Sequence, residues 1–182
     1  MKRNHRTRSI LKWSCLFVGT TLGLPAWSAL AASSVEVVQS VPVGTSLKVP
    51  GIRQTQEVWL EMIRSAREKI DLEEFYVINK PGDSLDPVVA ALRAKAAKGV
   101  QIRMILDSKF YERYPKTGNT LSKISNVQVR IVDFSPGIQH SKFFVVDREN
   151  TFLGTATFDW RALTHNHEVG LHIKDRKIAA NL

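Results

Sequence analysis

The chain has 182 residues and a formal net charge of +9. Residues 1–31 contain five lysines and arginines and no acidic residue, so residues 32–182 carry only +4, which excludes a polybasic tail and favours anionic ligands in general. The only cysteine, Cys15, excludes a disulfide framework, and the roughly 150 residues after position 31 are enough for one domain with an ordinary core.

Residues 1–31 have the three parts of a secretory signal peptide. A basic start is followed by the apolar stretch 13–24 and then by Ala29-Leu30-Ala31, a typical cleavage pattern. The apolar stretch is too short for a comfortable membrane span. We therefore predict a signal peptide over 1–31 and a mature domain over 32–182 that is periplasmic or secreted and has no stable membrane span. An uncleaved N-terminal anchor is the alternative.

Hydrophobic periodicity predicts the elements of the mature chain in order. After a leader strand and loop over 32–50, a helix over 55–68 has Val58, Met62 and Ile63 at helical spacing. The further predicted elements are a strand over 69–77, a helix from Asp86-Pro87 to Gly99, a strand over 100–106, a loop or short helix over 108–125, strands over 127–132 and 140–146, a short helix over 159–164 and a strand over 168–173.

This alternation of strands and helices predicts an α/β sandwich with a mixed sheet flanked by helices. The tail over 175–182 reads as the beginning of an amphipathic helix that would cover little of the sheet. We expect either a natural end there or the front part of a longer protein.

Residues 139–173 carry the most specific pattern in the chain. His140 and Lys142 are followed by Asp147 and by Gly154-Thr155, with the spacing H-x-K-x4-D-x6-G-[ST]. Alternate residues of a strand share a face, so we expect His140 and Lys142 to point towards one ligand. This segment resembles the phospholipase D superfamily, and a looser resemblance extends over residues 55–175.

The resemblance implies a site for phosphodiester chemistry. His140 would be the nucleophile or acid, forming a phospho-histidine, and Lys142 would bind the phosphate together with Thr155. The resemblance places Asp147 among the catalytic residues as the motif aspartate, although a structural role in the turn that follows the strand is preferred. Glu168 matches a downstream carboxylate that orients the histidine. Thr157 would also bind the phosphate through its hydroxyl, at a position where many members have an asparagine that contacts phosphate through its amide.

The chain contains one such motif, whereas the resemblance implies that catalysis needs two facing each other. A homodimer or a second motif-bearing half would supply the other. The expected function is an exported phosphodiesterase, of the phospholipase D type, acting on phospholipid or nucleic acid without a metal or other cofactor. The alternative is a catalytically degenerate half of a two-motif protein, similar to cardiolipin synthase, that serves as a phosphate-binding module.

Three other groups of residues have weaker functional interpretations. His165 and His167 have metal-ligand spacing, but a surface or packing role is favoured because no third ligand except Glu168 is near in sequence. Asp159 is expected to cap a helix rather than to act as a catalytic acid. A nucleic-acid stacking patch competes with an ordinary solvated loop over 109–116, where the aromatic residues are Phe110, Tyr111 and Tyr114 and the basic residues are Lys109, Arg113 and Lys116.

Overall fold

A computed structural model describes residues 33–182, so the predicted signal peptide lies outside the described residues. The main feature is an eight-stranded mixed sheet with the order β2-β1-β10-β8-β7-β3-β5-β6, beside a two-stranded sheet of β4 and β9. The strands are Ser34–Ser40 (β1), Arg53–Gln54 (β2), Lys69–Glu74 (β3), Val77–Ile78 (β4), Gln101–Asp107 (β5), Val127–Val132 (β6), Lys142–Val146 (β7), Asn150–Gly154 (β8), Phe158–Asp159 (β9) and Glu168–Lys174 (β10).

Six helices connect or flank these strands within the described part of the chain. They are Thr55–Ser65 (α1), Asp86–Ala97 (α2), Ser108–Arg113 (α3), Pro115–Leu121 (α4), Trp160–Thr164 (α5) and Arg176–Ala180 (α6). The predicted α/β class with a mixed sheet is confirmed. Between residues 33 and 182, no helix has both the length and the apolar character needed to traverse a bilayer.

The core lies between the sheet and the pair of helices α1 and α2. The apolar face of α1 buries Val58, Met62 and Ile63, as its helical spacing predicts, and it also buries Trp59. Trp59 stacks on Phe158 at 4.5 Å between ring centroids and contacts Phe152 edge-on at 5.3 Å. This aromatic contact joins α1 to both sheets.

Several predicted boundaries differ from the observed ones. Helix α1 ends at Ser65, and the predicted strand over 69–77 is broken after Glu74. The segment 108–125 forms two short helices, and β8 was not predicted as a separate strand. A tight turn joins β7 to β8, with φ values of 52° at Asp147 and 56° at Arg148. Two successive positive φ values are typical of a type I′ hairpin turn, which fits the predicted turn at this position.

The topology brings three strand ends to one edge of the sheet. Strands β3 and β5 are parallel, so their carboxyl ends, Glu74 and Asp107, lie at the same edge. Strand β7 is antiparallel to β3, which places Lys142, its first residue, directly opposite Glu74. Ligands of open α/β sheets bind beside the carboxyl ends of the parallel strands, and here the predicted motif starts at that edge.

Candidate active site

His140 and Lys142 meet at the side chain of Phe75. The ring centroids of His140 and Phe75 are 4.6 Å apart in an edge-on contact, and Lys142 Nζ lies 5.4 Å from the Phe75 ring. The expected strand over 140–146 begins only at Lys142, so His140 belongs to the preceding loop. Lys142 Nζ donates a hydrogen bond of 2.8 Å to the carbonyl oxygen of His140. The two side chains are therefore neighbours through this loop contact rather than through strand alternation.

The loop that carries His140 is held by Asp107, a buried residue that the sequence analysis missed. Its Oδ1 accepts hydrogen bonds from the backbone N–H groups of Lys109 (3.0 Å) and Phe110 (3.3 Å), which caps α3. Its Oδ2 accepts from the backbone N–H of Gln139 at 2.8 Å. One carboxylate thus fixes both α3 and the residue before His140. An acidic residue at the end of an apolar strand and before a helix is the sequence signal for such a cap.

The charges around His140 favour a neutral imidazole. The partial loss of solvent around the largely exposed imidazole, and then the positive charge of Lys142, lower the pKa of His140 from its usual value. Burial also lowers the pKa of Lys142, with the carboxyl groups of Glu74 and Glu168 acting in the opposite direction. A neutral imidazole has a free ring lone pair, which is what a nucleophile requires. The ammonium beside it is placed to bind an anion.

Thr155 and Glu168 form a hydrogen-bonded pair at the ends of β8 and β10. Thr155 Oγ1 donates to Glu168 and accepts from the backbone N–H of Val169 at 3.1 Å. Glu168 also accepts from Asn166 Nδ2 at 3.1 Å. Among the described residues, no hydrogen bond joins Glu168 to His140, although the sequence pattern predicts that Glu168 orients it. The carboxylate in this structure instead orients Thr155.

Gly154 permits the close approach of β8 to β10 at this point. A Cβ atom on Gly154 would lie 2.7 Å from the carbonyl oxygen of Val169 and 2.8 Å from the Cα of Gly170, so any side chain would force the strands apart. The glycine in the motif therefore keeps Thr155 in register with Glu168.

Thr157 lines a small polar cleft of about 210 Å³. The cleft is lined by Tyr76, Thr157, Asp159, Arg161, Ala162 and Asn166. Asn166 supplies an amide there, although the position expected to hold an asparagine is Thr157. The cleft therefore offers both a hydroxyl and an amide beside Glu168.

Asp159 has the capping role that the sequence predicts. Its side chain accepts from the backbone N–H of Arg161 at 2.9 Å, at the start of α5. It also pairs with the Arg161 guanidinium and accepts a hydrogen bond of 3.3 Å from Tyr76 Oη. All of these partners are structural, so Asp159 is not free to transfer a proton.

Asp147 lies at the opposite end of β7 from Lys142. Its carboxylate accepts hydrogen bonds from the backbone N–H groups of Arg67 (2.8 Å), Glu68 (2.9 Å) and Lys69 (2.9 Å). The structure therefore separates it from His140, and these bonds favour the structural role over the catalytic one that the motif implies. The side chain connects the β7–β8 turn to the start of β3.

The predicted stacking patch divides into two parts. Phe110 and Tyr114 join a cluster with Phe75 and Tyr76, in which Tyr76 stacks on Phe110 at 5.9 Å and contacts Tyr114 at 5.4 Å. Tyr111 instead packs against Gly118 and bonds to Asn119. We call Phe75, Tyr76, Phe110 and Tyr114 the aromatic cluster; it adjoins His140 through Phe75.

The basic residues of the patch also take different positions. Lys109 Nζ donates to the carbonyl oxygens of Pro136 (3.3 Å) and Gly137 (2.9 Å), in the loop that leads to His140. Arg113 lies 6.0 Å from the ring of Tyr114. Lys109 therefore supports the loop, and Arg113 is the basic side chain of this segment beside the aromatic cluster.

The two histidines with metal-ligand spacing do not form a metal site in the described residues. His165 packs edge-on against Trp160 at 4.7 Å and lies 2.9 Å from Thr164 Oγ1 through its Nδ1. Between residues 33 and 182, no three His, Cys, Asp or Glu side chains come together as a possible metal site. His167 is exposed, which fits the surface role favoured by the sequence.

Glu74 is the second residue at the site that the sequence analysis missed. It is 1% exposed, and its Oε2 has no hydrogen-bond partner. Burial raises the pKa of Glu74 well above its usual range, with Lys142 and the backbone of Phe158 acting against this. The sequence signal was that Glu74 continues the alternation of Ile70 and Leu72, which places it on the buried face of β3.

Known proteins resemble this chain over most of its length. The family model described as "Cardiolipin synthase, PLD-like domain" matches residues 59–182. Phospholipase D Z from Dictyostelium discoideum is 30% identical over 162 residues, which cover 82% of this chain and 38% of that protein. The human 5'-3' exonuclease PLD3 is 32% identical over 149 residues, which cover 74% of this chain and 30% of that protein. The chain thus spans about a third of the length of these curated relatives.

Solved structures of similar size share the fold. NucT from Helicobacter pylori has a TM-score of 0.65 at 19% identity, over 82% of this chain and 91% of that chain. Nuc from Salmonella typhimurium, a phospholipase D family member, has a TM-score of 0.64 at 24% identity, over 82% of this chain and 89% of that chain. The family match and these folds agree with the motif of residues 139–173: the chain belongs to the phospholipase D-like family.

Proposed function

We propose that this protein is a phosphodiesterase that uses His140 as its nucleophile. The observation that carries the proposal is the exposed imidazole of His140 beside the Lys142 ammonium, both against Phe75. The neutral imidazole attacks phosphorus, the P–O bond to one alcohol breaks, and a phospho-histidine forms. Water then attacks the phosphorus, the P–N bond breaks, and the phosphomonoester leaves.

Lys142 has the electrostatic role in this reaction. Its ammonium lies beside His140, where it can bind the non-bridging oxygens of the substrate and stabilise the charge that they carry in the transition state. Thr155 adds a hydroxyl near the same edge of the sheet, fixed by Glu168. Neither role calls for a metal ion, so activity is expected to survive an excess of chelator.

The departing alkoxide needs a proton, and a second histidine is the natural source. We propose that two chains associate about a two-fold axis, so that the second copy of His140 protonates the leaving oxygen. The exposure of His140 and Thr155 supports this arrangement, because such side chains remain accessible to a second copy. A motif-bearing half in a longer chain is the other way to supply the same acid.

The aromatic cluster favours nucleic acid over phospholipid as the substrate. Bases of a single strand stack on aromatic side chains, and each such contact contributes about 1–3 kcal/mol. Tyr76, Phe110 and Tyr114 are half-buried beside the site, with Arg113 close to Tyr114. Phospholipid remains the second candidate, since the phosphodiester chemistry of the site is common to both substrates.

The alternative is a phosphate-binding module without catalytic activity. Thr157 in place of the usual asparagine supports this alternative. Asn166 argues for the enzyme instead, because its side chain provides an amide in the same cleft. Stoichiometry in solution helps to separate the two, since a monomer favours the module and a two-fold dimer favours the enzyme.

The experiment is an assay of the protein on three phosphodiesters. Bis(p-nitrophenyl) phosphate tests for activity, and single-stranded DNA and phosphatidylcholine then distinguish the substrate classes, each with and without chelator. Hydrolysis that depends on His140 supports the proposal. Binding of phosphate without turnover of any substrate would support the module instead.

We also propose that the protein is exported, on the basis of the tripartite pattern in residues 1–31. Mass spectrometry of protein from the cell envelope and medium is expected to find an N-terminus near Ala32. An intact Met1 on cytoplasmic protein would contradict export.

A further inference from the structure

Glu74 is a buried carboxyl group for which the proposed reaction has no use. It ends β3 directly opposite Lys142, the first residue of β7, so the two side chains share one face of the sheet. Directly opposed residues in an antiparallel pair have Cβ atoms about 4.5–5.5 Å apart. An ionised carboxylate at this depth is costly unless a cation or several hydrogen bonds compensate it. The 1% exposure of Glu74 leaves little room for compensation by water.

The positive charge of Lys142 partly compensates Glu74, but the ammonium does not hydrogen-bond to its carboxyl group. Its Nζ donates to the carbonyl oxygen of His140, and Glu74 Oε2 is left without a hydrogen-bond partner. The other groups that act on Glu74 are the backbone of Phe158, from β9, and the carboxylate of Glu73, whose side chain belongs to the opposite face of β3. Glu74 and Lys142 therefore interact as charges without forming a closed ion pair.

We propose that Glu74 is the internal counter-ion of Lys142 and takes up a proton when a phosphate-like anion binds to Lys142. The inference rests on the proposed function, because it assumes that Lys142 binds the phosphate of the substrate. An incoming anion pairs with the ammonium of Lys142, which then compensates Glu74 less, and it adds negative charge beside Glu74. Both changes favour the protonated carboxyl group. Glu74 is thus a positioning residue that balances the charge of Lys142 in the free protein and gives up its negative charge when the anion binds.

This coupling has a definite dependence on pH. Since the anion raises the pKa of Glu74, the bound state holds more protons than the free state between the two pKa values. Anion affinity is then highest at low pH and falls as pH rises through that window, by up to about tenfold per pH unit for one linked proton. Neutralising Glu74 removes this dependence and leaves strong binding at high pH.

Isothermal titration calorimetry with sulfate tests the coupling. Sulfate is an oxyanion that does not titrate near neutral pH, and buffers of different ionisation enthalpy reveal proton uptake on binding. Because bound anion also raises the pKa of His140 and of Lys142, the measurements use the His140→Ala protein as the reference, over a pH series from about 5 to 7, well below the usual lysine pKa of about 10.4. Proton uptake is expected in this reference. Adding Glu74→Gln should abolish it, whereas adding Glu73→Gln should not.

Each outcome has one interpretation. Uptake that persists in Glu74→Gln, or no uptake in the reference at any pH, overturns the role of Glu74. Sulfate affinity that is unchanged in Lys142→Met would instead overturn the phosphate role of Lys142 and with it the proposed function. Glu74→Met has a side chain of similar volume and serves as the second variant if Glu74→Gln does not fold. It should likewise abolish uptake.

Discussion

The polar groups at the two ends of strand β7 differ in whether they have hydrogen-bond partners. At the end of the strand, the Asp147 carboxylate is satisfied by three backbone N–H groups of residues 67–69. At its start, Lys142 faces the buried Glu74, whose Oε2 has no partner, and His140 is exposed in the preceding loop. The two ends are joined by only five residues.

The difference indicates which part of the motif is structural and which is available for chemistry. Hydrogen-bonded polar groups stabilise the folded chain, whereas a buried carboxyl oxygen without a partner is destabilising and can bind a proton or respond to a ligand. The Asp147 end therefore serves the fold, and the Lys142 end is available for a phosphate. Substitutions at the two ends should separate activity from stability.

Replacing His140 by alanine is expected to have the largest effect on activity. Without its nucleophile, the protein should form no phospho-enzyme, and kcat should fall on the order of 10⁴-fold or more, by analogy with the loss of other enzymatic nucleophiles. Rapid denaturation in alkali preserves a phospho-histidine, so labelled phosphate on the protein can be measured directly. Label on His140→Ala protein would show that another residue is the nucleophile.

Mixed dimers sharpen this test. If both copies of His140 belong to one site, an equal mixture of wild-type and His140→Ala chains should retain about one quarter of the activity of wild-type chains at the same total concentration. Independent sites would retain about one half. His165→Ala is the matched control, because His165 is an exposed histidine that packs on Trp160. Its mixtures should show no loss.

Replacing Lys142 by glutamine is expected to have the second largest effect. Loss of its charge from the transition state should lower kcat about 10²–10³-fold, by analogy with removing one oxyanion donor. Burial and then Lys142 lower the pKa of His140, so the variant should have a higher His140 pKa, and the acidic limb of its pH–rate profile should move to higher pH. An acidic limb that does not move would contradict this electrostatic role. Lys116→Gln, at an exposed lysine on α4, should change neither quantity.

The sequence predicted the Asp147 end of β7 more completely than the Lys142 end. The turn at Asp147 follows from residue types within a few positions of it, and its structural role was preferred on that basis. Even so, its actual partners, residues 67–69, lie about 80 positions away and leave no local pattern. The fold class could be predicted because alternating strand and helix patterns extend over the whole chain.

The start of β7 depends on contacts between distant segments. The motif predicts His140 and Lys142, but their meeting on Phe75 requires the pairing of β3 with β7. Glu74 was missed because it is one of several charged residues in β3, and Asp107 because it ends a mostly apolar strand; only the sheet order brings both to the edge where β7 begins. Glu168 was expected to orient His140, whereas in the structure it accepts hydrogen bonds from Thr155 and Asn166.

The aromatic cluster should affect only one class of substrate. Replacing Tyr114 by leucine removes one ring of the cluster, so kcat/KM on single-stranded DNA should fall about 5- to 100-fold, which corresponds to the loss of about one base stack. Hydrolysis of phosphatidylcholine should not change. An equal loss on both substrates would indicate a structural role for the ring. Phe134→Leu, at an exposed phenylalanine, is the matched control and should leave both rates unchanged.

Replacing Asp147 by alanine is expected to have the smallest effect on activity but a clear effect on stability. Three backbone N–H groups lose their acceptor, which should lower the free energy of unfolding by about 2–3 kcal/mol, while kcat/KM of the folded protein stays within about twofold of wild type. Denaturant unfolding measures the first quantity, and an assay well below the unfolding transition measures the second. Glu149→Ala is the control, because its exposed ion pair with Arg176 is worth at most about 1 kcal/mol.

The dependence of this loss on pH identifies its cause. Burial alone would raise the pKa of Asp147, but the hydrogen bonds from the backbone of residues 67–69 outweigh burial and lower it. A lowered folded-state pKa means that the stabilisation is complete above the unfolded value of about 3.9 and is lost as pH falls through the folded value. The difference in the free energy of unfolding between the wild type and Asp147→Ala should therefore be largest at neutral pH, and it should shrink in acid. A difference that stays constant into acid would mean that packing, rather than the charged carboxylate, holds this end of β7.

A large loss of kcat/KM in the folded variant would place Asp147 back in the catalytic group, because a carboxylate that only binds backbone N–H groups at the far end of the strand cannot change the chemistry at Lys142.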